Sequence, residues 1–176
     1  MLIQKLNENW QMCINNTEEF MPAAVPGSVY QDLLDNNKME DPYYRDNELK
    51  ALKIMENDFT YVTCFDVPED IREREEVLLH FDGIDTIGDI YLNGTLLGHV
   101  KNMHRIWEYS VKNLLKPEGN ELKVVLHSPT RFIREAYEER PLEGSSDAMR
   151  GFPYLRKAHC MFGWDWGPRL PDAGIW

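Results

Sequence analysis

Residues 86–98 of the chain read TIGDIYLNGTLLG, two largely apolar runs separated by Asn93-Gly94. Asparagine followed by glycine supplies the two positive-φ residues of a type I′ turn, the favoured two-residue connection between antiparallel strands. The segment therefore predicts a β-hairpin with its turn at Asn93-Gly94.

Strand signals continue on both sides of this hairpin. Upstream, residues 59–65 alternate with a period of two, and residues 77–81 (VLLHF) form a second apolar run. Downstream, residues 105–111 and residues 121–127 predict two further strands. Short strands with regular turn residues between them predict an all-β fold. We expect an antiparallel β-sandwich with short helices and long loops, and not a doubly wound sheet.

Two segments carry helical signals. Ser28, with Gln31 three residues later, has the form of a capping box, and the apolar residues that follow it share one helical face. This predicted helix ends near Asn36-Asn37. Residues 130–139 predict one or two further helical turns, followed by a loop rich in proline, glycine and serine.

Length and composition limit the class of protein. A chain of 176 residues fits one domain, and its formal charge of −11 disfavours nucleic acid or an anionic membrane as a partner. The first ten residues hold no long apolar segment, and no later run approaches 18 apolar residues, so we expect a cytoplasmic protein. Cys13, Cys64 and Cys160 lack a metal or disulfide spacing and are expected to be reduced and buried.

No catalytic residue, metal site or cofactor is predicted. The five histidines are scattered without ligand spacing, and nucleophile and phosphate-loop motifs are missing from the sequence. Asp82, Asp85 and Asp89 lack the register of a calcium loop and are expected in turns at the surface.

The strongest candidate for binding is Trp164-Asp165-Trp166, set between Gly163 and Gly167-Pro168. Tryptophan offers a broad apolar face suited to the C–H side of a pyranose ring, and a carboxylate can accept hydrogen bonds from neighbouring hydroxyls. The flanking glycines and proline favour a fixed loop. An alternative remains open, in which both tryptophans lie in the core and Asp165 pairs with Arg156 or Arg169.

Several segments together resemble the N-terminal sugar-binding domain of glycoside hydrolase family 2, in its β-mannosidase branch. These segments run in the same order as in the family and span nearly the whole chain. They are residues 25–34 (VPGSVYQDLL), 41–48 (DPYYRDNE), 81–86 (FDGIDT), 91–94 (YLNG), 103–105 (MHR), 155–157 (LRK) and 162–170 (FGWDWGPRL). Arg45 and the lack of tryptophan in residues 52–59 depart from the family pattern.

The resemblance implies that residues 1–176 form a jelly-roll, galactose-binding-like domain. Immunoglobulin-like and (β/α)₈-barrel domains are expected downstream, with the catalytic glutamates on the barrel. Trp164, Asp165 and Trp166 would then complete a pocket for the terminal mannose of a β-mannoside, and Asn47 would approach it. The parent protein would be a retaining exo-β-mannosidase.

Three alternatives remain at this point. The chain could belong to another family 2 glycosidase, such as an exo-β-glucosaminidase or a β-galactosidase. It could be a free-standing carbohydrate-binding module, or a purely structural module.

Overall fold

The computed structural model describes residues 2–176. Strands and short helices cover much of this range. Within that range the strands are β1 (Gln11–Ile14), β2 (Met21–Pro22), β3 (Gly27–Ser28), β4 (Phe59–Phe65), β5 (Leu78–Phe81), β6 (Ile84–Asp85), β7 (Ile87–Leu92), β8 (Thr95–Lys101), β9 (Trp107–Ser110), β10 (Asn120–His127) and β11 (Gly174–Ile175). The α-helices are α1 (Val29–Asp35), α2 (Glu48–Ile54), α3 (Glu69–Arg72) and α4 (Pro129–Glu139). None of the helices in the described range is long and apolar enough to cross a membrane.

The strands form one large sheet and two small ones. The large sheet has the order β2-β1-β4-β10-β7-β8, and its neighbouring strands are antiparallel. The small sheets have the orders β3-β11-β6 and β5-β9. Phe59 and Val124 of the large sheet share one buried cluster with Phe81, Ile84 and Ile175 of the small sheets. The predicted antiparallel β-sandwich with short helices is confirmed.

The predicted hairpin is formed by β7 and β8. Asn93 and Gly94 have φ angles of 51° and 80°, as a type I′ turn requires. Ile90 and Leu92 are fully buried, so this strand presents its apolar side to the core. The side chain of Asn93 also donates to the carbonyl oxygen of Leu114 at 2.7 Å.

Helix α1 starts with half of the predicted capping box. The hydroxyl of Ser28 accepts from the backbone N–H of Gln31 at 3.4 Å, but the Gln31 side chain donates to Asp35 instead of returning to Ser28. Asp32 on this helix is buried and accepts from the hydroxyl of Tyr61 at 2.6 Å. Burial raises the pKa of Asp32, which the Tyr61 hydrogen bond opposes. This contact ties α1 to the large sheet.

Helix α2 is not among the predicted elements. Its sequence, ELKALKI, consists largely of good helix formers, so intrinsic helix propensity alone favours a helix here. Ala51 and Met55, four positions apart, are fully buried and fix one side of the helix to the core. The helix therefore has a buried inner face and an exposed outer one.

A buried ion pair holds the last third of the chain to the sandwich. Lys157 is 2% exposed, and its ammonium group donates to the carboxylate of Asp85 and to the carbonyl oxygen of Asp172. The carboxylate of Asp172 accepts from the backbone N–H groups of Tyr30 and Ala173. Burial raises the pKa of Asp85 and lowers the pKa of Lys157, while their opposite charges oppose both shifts.

The prediction of a surface turn for Asp85 is wrong, because this carboxylate is 4% exposed. Nothing local in the sequence pairs Asp85 with Lys157, which lies 72 positions later. Asp82, in contrast, is exposed and contacts His80 at 3.0 Å.

Replacing Lys157 with methionine is expected to lower the free energy of unfolding by about 3–5 kcal/mol, because Asp85 is left buried without a partner. Lys157→Met combined with Asp85→Leu should recover most of that loss. Urea denaturation of the 176-residue chain measures both. Lys50→Met, which breaks the exposed pair with Glu40, serves as the control. A single Lys157 variant as stable as this control would contradict the anchoring role of the ion pair.

Candidate functional site

Trp164, Asp165 and Trp166 lie on a closed turn that projects from the sandwich. The backbone N–H of Trp164 donates to the carbonyl of Gly167 at 3.4 Å, and the reverse bond measures 3.2 Å. Asp165 and Trp166 therefore occupy the tip. Gly163 enters the turn with a φ of 109°, a conformation that glycine adopts readily.

The side chains of this turn face solvent. Trp166 is 82% exposed and Trp164 is 45% exposed, and their ring centroids are 5.5 Å apart with an interplanar angle of 55°. Exposing two large aromatic rings side by side is unfavourable in water and is typical of a binding surface. The alternative of two core tryptophans is therefore wrong.

Within residues 2–176, neither of the proposed arginine partners, Arg156 and Arg169, forms an ion pair with Asp165. Arg169 donates from Nε to Glu48 at 2.6 Å. Across residues 2–176, the carboxylate of Asp165 forms no hydrogen bond or ion pair, and the residue is exposed. Its oxygens are available to accept hydrogen bonds from a ligand.

An open groove of about 680 Å³ runs beside the turn. The groove is lined mainly by apolar or aromatic residues, and Asp172, near the start of α1, also lines it. Burial raises the pKa of Asp172, while hydrogen bonds from Ser28 and two backbone N–H groups lower it. The apolar wall comprises Pro42, Tyr43, Met161, Trp164, Trp166, Pro168 and Leu170.

Tyr43 is a candidate residue that sequence reasoning missed. It is 76% exposed and lines the same groove as Trp164 and Trp166. The signal available was its place in the family-like segment DPYYRDNE, from which Asn47 was chosen instead.

Asn47 lies apart from the tryptophans. It is 8% exposed, lines a separate depression with Asp46 and Lys50, and donates from its side chain to the carbonyl of Asp41 at 2.9 Å. This bond closes the loop that carries Tyr43 to the groove. Substrate binding by Asn47 itself stays a prediction.

The thiols differ from expectation in their exposure. Cys13, Cys64 and Cys160 are free, but only Cys13 is buried, and Cys160 lines the groove. The expected burial of Cys64 and Cys160 is therefore wrong. Within residues 2–176, no cluster of three or more histidine, cysteine or acidic side chains is arranged to hold a metal ion.

Comparison with known proteins agrees with the resemblance found in the sequence. A family model described as glycosyl hydrolase 2 galactose-binding domain-like matches residues 10–176. A β-mannosidase of Mus musculus is 34% identical over 181 residues, which cover 97% of this chain and 20% of the mouse protein. β-Mannosidase B of Aspergillus terreus is 36% identical over 92% of this chain and 20% of its own length.

A solved structure is similar over the whole chain. The crystal structure of a β-D-mannosidase from Dictyoglomus thermophilum matches with a TM-score of 0.93 and 38% identity, covering 100% of this chain and 22% of that one. This chain thus spans about a fifth of the length of the relatives it matches. Since the family model covers nearly every residue, the chain belongs to the glycosyl hydrolase 2 galactose-binding domain-like family.

Proposed function

We propose that this chain is the non-catalytic N-terminal domain of a retaining exo-β-mannosidase, and that its tryptophan turn forms one wall of the pocket for the terminal β-mannose. The observation that carries the proposal is the exposed, unpartnered carboxylate of Asp165 on a turn that also exposes the adjacent rings of Trp164 and Trp166. The similarity to β-mannosidases supports the choice of sugar.

In this proposal the domain binds and orients the sugar and does not cleave it. A retaining glycosidase needs two carboxyl groups about 5–5.5 Å apart, one as nucleophile and one as acid and base. We place these groups on a (β/α)₈ barrel encoded downstream, after an immunoglobulin-like domain. The relatives have room for such domains, because this chain matches only 20% of their length.

The chemistry of the turn suits a neutral hydroxylated ligand. Asp165 can accept hydrogen bonds from two neighbouring hydroxyls, and bonds to a charged acceptor contribute roughly 1.5–3 kcal/mol each. The indole rings can cover the C–H face of the sugar and exclude water. A fixed sugar places its glycosidic bond against catalytic groups supplied by another domain, which lowers the entropic part of the barrier.

The full-length protein is expected to hydrolyse aryl β-mannosides with a higher kcat/KM than the matching glucosaminides or galactosides. The measurement is initial rates on a panel of these substrates. A preference for a glucosaminide or galactoside would assign the parent to another family 2 activity.

Asp165→Asn in the full-length protein is expected to lower kcat/KM on an aryl β-mannoside by roughly ten- to several-hundredfold, because charged hydrogen bonds to the sugar are lost. Asp70→Asn, at an exposed carboxylate on α3, is the matched control and should leave the rate unchanged. Equal rates for the two variants would remove Asp165 from the pocket.

The isolated 176-residue domain is expected to bind mannosides no tighter than about 1 mM, because it supplies one wall of a pocket only. Titration calorimetry with a β-mannoside measures this. A Kd well below 0.1 mM, on the order expected of a self-sufficient site, would instead identify a free-standing carbohydrate-binding module.

A further inference from the structure

The base of the tryptophan turn is crossed by one side chain. Arg169 leaves the turn on its C-terminal side, and its stem passes over Gly163, where the turn begins. A Cβ atom added to Gly163 would lie 2.6 Å from Cγ of Arg169 and 3.0 Å from the carbonyl oxygen of Asp147. The two ends of the turn are therefore packed directly against each other.

The same arginine connects the turn to helix α2. Its Nε donates to Oε1 of Glu48 at 2.6 Å, although the two residues are 121 positions apart in sequence. Glu48 opens α2, whose Ala51 is fully buried. The base of the turn is thus tied to an element that is itself fixed in the core.

The turn needs such a tie because its own bonds are few. Its two cross-turn backbone bonds are long, at 3.2 and 3.4 Å, and Trp166 at its tip is 82% exposed. Phe162 before the turn and Leu170 after it pack against separate apolar clusters. The backbone N–H of Met149 donates to the carbonyl oxygen of Phe162 at 2.9 Å, and Arg169 adds a side-chain polar link from the other end of the turn.

We propose that Glu48 and Arg169 are positioning residues that set the orientation of Trp164, Asp165 and Trp166 toward the sugar. This inference rests on the proposed function. Neither residue is assigned a contact with substrate. They act through the turn, and we call the set Glu48, Gly163 and Arg169 the clasp.

The expected loss of activity and the expected loss of folding stability differ in size. The Glu48 and Arg169 side chains are 23% and 45% exposed, and an ion pair of this exposure changes folding stability little. A displacement of about 1 Å in a substrate-positioning group, in contrast, can cost on the order of a hundredfold in rate. Loss of the clasp should therefore reduce activity much more than stability.

The experiment uses the full-length enzyme with Glu48→Gln, Arg169→Met and Arg169→Lys. The first two are expected to lower kcat/KM on an aryl β-mannoside about 5- to 50-fold, with Tm within about 3 °C of the wild type. Arg169→Lys keeps a donor and should recover much of the rate. Glu56→Gln is the matched control, because Glu56 and Arg134 form an exposed pair of the same length, 2.6 Å, elsewhere on the domain.

A double-mutant cycle with Asp165→Asn tests whether loss of the clasp lowers kcat/KM through the tryptophan turn. If the clasp acts through the turn, Glu48→Gln should cost less than about threefold once Asp165 is replaced. Equal losses in both backgrounds, or full activity of Glu48→Gln and Arg169→Met while Asp165→Asn is impaired, would overturn the clasp alone. Full activity of Asp165→Asn would overturn the proposed function, and the clasp with it.

Discussion

The burial of the ammonium group of Lys157 constrains how the segments of this domain are arranged. Lys157 lies inside the protein, where an unpaired charge is strongly unfavourable, so Asp85 and the carbonyl of Asp172 must remain close to it. These partners lie on β6 and just before β11, two strands of one small sheet. The segment that precedes the tryptophan turn is thereby held at a fixed place on the sandwich.

Lys157 is buried and paired, whereas the tip of the tryptophan turn is exposed and unpaired. Phe162 is fully buried, Gly163 turns the chain, and Trp166 stands almost free in solvent. A protein stabilised by burial gains nothing from this exposed tip. In the proposed function this exposed tip is a ligand surface, held in place by the anchored base. Its closeness to the groove and to Tyr43 extends that surface beyond the three residues of the turn.

Local sequence signals predicted the parts of the fold that depend on neighbours along the chain. The Asn93-Gly94 hairpin, the alternating strand β4 and the Ser28 cap are of this kind, and the structure confirms them. The exposed tryptophan turn was also found, with help from its resemblance to a family.

The features that were missed depend on distant residues. Pairing of Asp85 with Lys157 and of Glu48 with Arg169 joins segments 72 and 121 positions apart, and no spacing rule reports such contacts. The choice of Asn47 shows the same limit. The motif DPYYRDNE identified the segment, but it did not show that Tyr43 is the residue of that segment that lines the groove. The most direct measurement of the central claim is a crystal structure of the full-length protein with a mannose-configured inhibitor. From the central claim we expect both carboxylate oxygens of Asp165 at about 2.5–2.7 Å from sugar hydroxyl oxygens, with an indole over the ring. An inhibitor bound with Asp165 still facing bulk water would contradict it.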